Sequence, residues 1–193
     1  QPIGRYNVAP GTKVLLLSER NERLHLDPVH WGYAPGWWDK PALINARAET
    51  AATSRMFKPL WQHGRAICFA DGWFEWKREG DKKQPYFIHR KDGKPLFMAA
   101  IGSVPFERGD EAEGFLIVTS AADRGLVDIH DRRPLVLEPE AAREWMCQDV
   151  GGKEAEEIIA DGAVSADHFA WHPVSRAVGN VKNQGPELIQ ALS

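Results

Sequence analysis

Ala70-Asp71-Gly72-Trp73-Phe74-Glu75-Trp76 follows directly on the apolar run Ala66-Ile67-Cys68-Phe69. That run reads as a buried strand, because β-branched and aromatic side chains suit a pleated surface. Asp71-Gly72 ends it with turn chemistry. Beyond the turn, Trp73, Phe74 and Trp76 crowd around one carboxylate, Glu75. A carboxyl set among aromatic faces loses hydration, which disfavours its charged form and lifts its pKa toward a useful acid–base range. The plainer reading is a strand glutamate on the wet side. From these seven residues alone, that plainer reading is the commoner one.

On either side of this stretch the chain reads as short strands with a few helices. Upstream, a strand is predicted from Lys13 to Leu17, a polar hairpin tip at Glu19–Glu22, and a half-buried alternating strand from Leu24 to Tyr33. Ala34-Pro35-Gly36-Trp37-Trp38 is a loop, since Pro and Gly preclude regular pairing. Asn45-Ala46-Arg47 leads into a helix predicted from about Thr50. Ala52, Met56 and Leu60 fall on it at helical spacing, Arg55 lies on it, and Pro59 weakens its last turn. Downstream, Lys91-Asp92-Gly93-Lys94 between two alternating runs predicts a hairpin. A strand at Phe115–Thr119, a short helix at Asp123–Ile129 and a strand at Leu135–Leu137 follow. Helices at Pro139–Cys147 and Lys153–Ala160, a strand at Phe169–Val174 and an irregular tail from Asn180 complete the pattern. No repeat, low-complexity tract or linker interrupts it. The expected fold class is α+β, one domain spanning 1–193 on curved antiparallel sheet. Strands and helices do not alternate regularly and no glycine-rich phosphate loop follows a strand, which argues against a doubly wound fold.

Composition narrows the function classes. The 193 residues carry a net charge of −3, so any nucleic-acid binding must come from a local basic patch. No run of eighteen apolar residues is present and no secretory signal opens the chain, so neither a membrane span nor export is expected. Two cysteines, Cys68 and Cys147, are too few and too far apart for a disulfide framework or metal site, and Cys68 reads as core. A reducing cytosol is the expected setting. Eight tryptophans point to an aromatic-rich core or a stacking surface.

Besides Glu75, two constellations could carry chemistry. His130, in His130-Asp131-Arg132-Arg133-Pro134, can donate and accept protons near neutral pH, and its arginines suit phosphate. The same run also reads as a charge cluster at a helix end, and the two readings are even. Trp37-Trp38, with Asn45, Arg47 and Arg55 close behind, could stack bases and hold phosphates. A buried Trp pair beside a solvated helix is the alternative, but two adjacent tryptophans cannot easily both point inward from one strand. His168 and His172 read as strand neighbours that do not converge on one ion. No cofactor motif is present.

Taken together, Arg5–Pro10, Trp37-Trp38, Asn45-Ala46-Arg47, Gly72–Trp76, the His130–Pro134 run and the Pro173–Lys182 segment closely resemble the SRAP (SOS response-associated peptidase) family across the whole sequence. The resemblance implies two curved, partly barrel-like antiparallel sheets with a groove across them and a few peripheral helices. It implies a protein that binds single-stranded DNA and links covalently to abasic sites; a monomer is the default expectation. There the α-amine of a cysteine exposed by removal of the initiator methionine forms a Schiff base, and its thiol closes a thiazolidine ring. The resemblance implies further that the same site releases that methionine autoproteolytically. In this picture Glu75 handles protons at amine and aldehyde, His130 protonates the sugar oxygen and assists reversal, and Asn45 orients sugar or amine. Arg47, Arg55 and Arg132 grip phosphates, Trp37 and Trp38 stack on bases, and Trp76 belongs to the DNA-contacting set.

One departure from the family pattern bears on the chemistry. The family's Met-Cys-Gly-Arg start is absent, and neither Cys68 nor Cys147 carries a free α-amine. The 193 residues taken literally should bind single-stranded DNA without crosslinking to it, and the opening Gln1-Pro2 carries the expectation of a preceding segment. Two competing readings stand beside the enzyme: a non-covalent single-stranded DNA-binding module, and a carbohydrate-active protein using tryptophans and a carboxylate. The latter would call for two paired carboxylates, of which Asp71 is the only near neighbour in sequence.

Overall fold

Ten strands and four α-helices make up the regular structure of residues 4–103 and 114–193, which the computed structural model describes. Gln1-Pro2 lies outside the described residues. β1 (Lys13–Arg20) and β2 (Arg23–His30) form a hairpin whose tip, Asn21-Glu22, takes positive φ angles of 51° and 63°. β3 (Asn45–Arg47) runs into α1 (Ala48–Ala51), followed by α2 (Lys58–His63) and β4 (Arg65–Ala70). β5 (Gly72–Glu79) and β6 (Lys82–Arg90) form the second hairpin, and β7 (Leu96–Ser103) and β8 (Gly114–Ala121) pair antiparallel. β9 (Arg132–Pro134), α3 (Pro139–Met146), α4 (Gly152–Gly162) and β10 (Phe169–Pro173) complete the order.

The strands form two sheets. The larger runs β2-β1-β4-β7-β8-β3, with β9 also on β8, and the smaller runs β10-β6-β5. The sheets face one another without closing into a barrel. Alternation along each strand divides the larger sheet's two faces. Leu16, Cys68, Met98, Ala100, Phe115 and Ile117 meet Trp73, Ile88 and Phe169 of the small sheet in one core. Leu17, Ile67, Ala99, Ile101, Leu116 and Val118 meet Trp61, Trp145 and Ile159 of the helices in the other. The small sheet's outer face, with Phe74, Trp76 and Phe87, is covered by the C-terminal segment through Val174, Val178 and Leu188. Asn7, buried, donates from Nδ2 to the carbonyls of Val178, Asn180 and Asn183, so the turn-rich entry is laced to that segment.

Several sequence expectations need correction. Asp92-Gly93 is not a β-hairpin: β6 belongs to the small sheet and β7 to the large one, so this turn is a crossover. Asp92 holds the turn by accepting from Arg90 and from the Lys94 amide, which keeps its carboxyl down at about 2. The hairpin is instead β5–β6, with Gly80-Asp81 at its tip and Gly80 at φ 63°. The helix expected over residues 50–60 is two short helices. Thr50 lies inside the first, which ends at Ala51, Arg55 sits in the turn between them, and Pro59 stands at the start of the second, where its missing N–H costs nothing. Along β2 the alternation is correct but its phase is reversed: Leu24 and Leu26 point to solvent, while His25 and Asp27 turn inward. Glu19, expected at a polar tip, is buried and accepts from the Gln148 amide and Arg143, which together hold its pKa down.

The strand expected at Leu135–Leu137 is displaced upstream. β7 and β8 pair only through Ala100–Ser103 and Gly114–Ile117, and the chain from Arg132 wedges into the gap where they diverge. Arg132–Pro134 forms the ladder with β8, whereas Val136 makes a single bridge to Met98. The β3–β8 pair is parallel, an exception in an otherwise antiparallel sheet. Gly72 also differs from the expected role. It begins β5 as extended backbone, and an added Cβ would sit 2.4 Å from the Ile88 carbonyl and 2.5 Å from the Phe87 ring. Close approach, not a turn, is what requires glycine here. Gly72→Ala is expected to lower stability by roughly 1–3 kcal/mol through overpacking, read as a fall in denaturation midpoint. A change within error would refute the steric reading.

The helices are anchored by Arg65, the first residue of β4, which is 1% exposed. Its Nε donates to Trp145 O at 2.7 Å, its Nη1 to Trp61 O and Gln62 O at 2.7 and 3.1 Å, and its Nη2 to Cys147 O and Val150 O at 3.0 and 2.6 Å. One guanidinium thereby satisfies free carbonyls at the C-terminal ends of both α2 and α3.

Candidate active site between the sheets

Glu75 lies on β5 beside Trp73, on the face turned toward the large sheet, and pairs across the hairpin with Tyr86. Phe74 and Trp76, the intervening residues, point the other way into the C-terminal segment. The expected aromatic crowd therefore loses two of its three members: strand alternation separates Phe74 and Trp76 from Glu75. A Cβ on Gly179 would come within 3.2 Å of the Trp76 ring, so Trp76 packs on the tail rather than lining the site. Trp76 is half-buried there, so the DNA contact expected of it would be made with the part of the ring that the tail leaves open.

The Glu75 carboxyl is pushed up to about 7. Burial is the main cause; Asp131 raises it further, while His130 and, least of all, the Trp73 indole favour the charged form. Trp73 Nε1 is buried without a hydrogen bond of normal geometry, so its pull on Glu75 is through space. A carboxyl with a raised pKa makes the folded state bind more protons than the unfolded chain between about pH 4.5 and 7. Stability is consequently lost as pH rises through that window. Glu75→Gln is expected to stabilise the protein at pH 8 by on the order of 1–3 kcal/mol and to do nearly nothing at pH 4. Equal effects at both pH values would contradict the burial described.

His130 follows the 3₁₀ turn Arg124–Asp128 and precedes β9. Its Nδ1 lies 3.1 Å from both the amide nitrogen and the carbonyl oxygen of Arg132, and 3.5 Å from Asp131 Oδ1. An amide N–H can only donate, so the neutral ring is assigned as accepting at Nδ1 and carrying its proton on Nε2.

The large sheet supplies the opposite wall. Asn45 and Arg47 flank buried Ala46 on β3, in register with Ile117 and Thr119 of β8. Paired residues share a face, so Asn45 and Arg47 project to the side of Ile117, into the gap that Glu75 enters from the small sheet. Arg132 pairs with Ala121 two residues beyond Thr119 and reaches the same side, where its Nη2 donates to Thr119 O and Oγ1, both at 3.0 Å. Its guanidinium is not free. Nη1 and Nη2 also donate to Glu49 Oε2 and Oε1 at 2.6 and 3.2 Å. Arg47, 65% exposed at its side chain, stands 3.6 Å from the same carboxylate and is the more available cation. Glu49 and Thr119 were not singled out by the sequence reading; a carboxylate two residues after Arg47, in the first turn of a helix, was the available signal.

Trp37 and Trp38 cap a loop closed by reciprocal hydrogen bonds between Tyr33 and Leu43, immediately ahead of β3. Trp38 is fixed by an Nε1 bond to Pro41 O at 3.0 Å and by Lys40 against its face. Trp37 stands edge-on to it, 87° between planes, and is 70% exposed. A large aromatic face left in water beside the cleft is a surface feature, not core. Arg55 is exposed, with its guanidinium beyond the described contacts. Cys68 is buried and its thiol is pushed up to about 12, a core residue as expected.

These features make a candidate acid–base site: a carboxyl and a histidine set between two sheets, with an amide on β3 and exposed aromatic and arginine side chains on the neighbouring segments. Comparison with known proteins is specific. The sequence model of the SOS response associated peptidase (SRAP) family matches residues 1–181. The abasic site processing protein YedK of Escherichia coli K12 is 85% identical over 192 residues, spanning 100% of this chain and 86% of YedK. The abasic site processing protein YMR114C of Saccharomyces cerevisiae is 30% identical over 197 residues, spanning 97% of this chain and 52% of its own. The crystal structure of a phage-related protein from Bordetella bronchiseptica superposes with a TM-score of 0.77 at 39% identity, covering 89% of this chain and 82% of that one. The chain belongs to the SOS response associated peptidase family.

Proposed function

We propose that this protein captures abasic sites in single-stranded DNA as a covalent adduct, working as one monomeric domain in the cytoplasm. The observation that carries the reading is Glu75, a carboxyl balanced near neutrality between the sheets and within electrostatic reach of His130 and Asp131. The relatives' shared name, abasic site processing protein, supports it.

In this reading the α-amine of an N-terminal cysteine attacks C1′ of the ring-opened sugar. Glu75 accepts the amine proton and returns it to the departing hydroxyl, so that aldehyde and amine give imine and water. Addition of the thiol S–H across the C=N bond then closes the thiazolidine. A carboxyl half-protonated near pH 7 is suited to both directions of transfer. His130, with its proton on Nε2, donates to the sugar oxygen during opening, and Asn45 orients sugar or amine. Removal of the initiator methionine would use the same carboxyl. Arg47, Arg55 and Arg132 meet phosphates, Arg132 only with the N–H groups that Glu49 and Thr119 leave it, and Trp37 and Trp38 stack on bases.

The test is denaturing electrophoresis of the protein, expressed from its own start codon, after incubation with abasic and intact oligonucleotides. A slow-migrating species formed only with abasic single strands supports the proposal. Reversible binding alone would leave the non-covalent module. Trp37→Ala is expected to weaken single-stranded DNA binding about 5- to 100-fold, read by fluorescence anisotropy. Unchanged affinity would remove Trp37 from the interface.

A further inference from the structure

Among the described residues, Glu49 is the one carboxylate that touches two of the arginines facing the cleft. It accepts from both Nη atoms of Arg132 and stands 3.6 Å from Arg47. The bidentate geometry fixes a planar guanidinium in orientation as well as in place. Arg132 is further held by both oxygens of Thr119, so its side chain spans from the first turn of α1 to β8. The backbone of this immobilised residue makes the hydrogen bond to His130: its N–H donates to Nδ1 at 3.1 Å. Among the described contacts of the His130 ring, the remaining partners are the Arg132 carbonyl and the adjacent Asp131. The orientation and tautomer of the ring thus depend on where Arg132 is held.

We propose that Glu49 is a positioning residue for the abasic-site chemistry, acting through Arg132 to present the Nε2–H of His130 to the cleft; this rests on the role of His130 given above. A carboxylate is otherwise an odd choice on a face that must receive a polyanion. Its charge repels phosphate and partly neutralises two cations that would attract it. A residue kept for DNA affinity would not be acidic. A residue kept to hold Arg132 must be, because only a carboxylate accepts both Nη donors while matching their charge.

The opposing signs of these two effects separate them by experiment. Glu49→Gln is expected to slow single-turnover adduct formation at saturating abasic oligonucleotide by about tenfold or more. Affinity for intact single-stranded DNA should be unchanged or tighter, because an anion is removed from the binding face. Glu49→Asp, which keeps the charge but shortens the reach, is expected to fall between. Independently of any DNA chemistry, nitrogen-15 NMR of the His130 ring in the free protein should show one Nε2–H tautomer in the wild type and a mixture in Glu49→Gln. Arg132→Lys, which keeps the cation but loses the fork, should reproduce the change in the His130 spectrum and serves for that readout if Glu49→Gln does not fold. An unaltered His130 spectrum in the variants, or slowed chemistry explained wholly by weakened DNA binding, overturns the proposal. A wild-type protein that forms no adduct refutes the function proposed above, while the His130 spectra still decide whether Glu49 positions the ring.

Discussion

Replacing Glu75 with glutamine is expected to slow covalent capture of an abasic site by about 10²- to 10⁴-fold, the span of a positioned acid–base group. Affinity for intact single-stranded DNA should change less than about twofold, because Glu75 makes no part of the stacking surface. Glutamine preserves the shape of the side chain and its place beside Trp73 and Tyr86, but it cannot exchange a proton. The residue is half-buried, whereas Trp37 stands in solvent on a separate loop, so the stacking surface is untouched. Glu75→Gln should also be more stable than the wild type at pH 8, because the buried charge is gone. Loss of activity together with a gain in stability separates a chemical role from a folding defect, since a folding defect would lower both. Rapid-quench measurement of adduct formation beside thermal denaturation at pH 8 reads the two quantities on one preparation. A variant that crosslinks at the wild-type rate would return Glu75 to the status of a strand glutamate.

Arg65→Met is expected to cost about 3–5 kcal/mol of stability, because several enclosed carbonyls lose their donors at about 1–3 kcal/mol each. The group is almost fully enclosed, burial holds its pKa below the ordinary arginine value, and its neighbours are carbonyl dipoles rather than a carboxylate. Methionine would fill much of the volume and remove the desolvated charge, which offsets part of the loss. It would also strip the guanidinium donors from the carbonyls of buried Trp61 and Trp145, half-buried Cys147 and Val150, and Gln62. For a chain of this length the expected fall in melting temperature is roughly 6–20 °C. Urea denaturation gives the same quantity from the midpoint. A loss below about 1 kcal/mol would mean that water replaces the guanidinium at little cost, and that Arg65 is not the anchor of α2 and α3.

The residues that carry the site were legible in sequence to different degrees. Glu75 stood out for a sound reason, desolvation, although two of the three aromatic neighbours credited with it, Phe74 and Trp76, were wrong. Trp76 is adjacent in sequence and opposite in space, an outcome that period-2 alternation already implies. His130 was visible because histidine moves protons near neutral pH, although its run read equally well as a charge cluster at a helix end, and Trp37 because adjacent tryptophans cannot easily both be buried from one strand. Thr119 was not legible, and Glu49 offered only the weak signal of a carboxylate two residues after Arg47. Their importance lies in a contact between α1 and β8–β9 that joins residues 83 positions apart in sequence. Arg65 likewise looked like an ordinary charged residue at a strand end.

At the level of the fold, runs such as Phe115–Thr119 and Phe169–Val174 announced themselves, because buried strands are written in local composition. Asp92-Gly93 misled because turn chemistry specifies that the chain reverses and not which sheet receives the next strand. The reversed phase of β2 has a similar cause. Alternation gives two faces, and which one is buried depends on partners that lie elsewhere in the chain.

The most direct single measurement is intact mass spectrometry of the protein, expressed from its own start codon, before and after incubation with an abasic single-stranded oligonucleotide. The prediction is a starting mass that lacks the initiator methionine, then a shift by one oligonucleotide less the water lost in imine formation. A mass that stays unchanged while the protein still binds the oligonucleotide reversibly would contradict covalent capture.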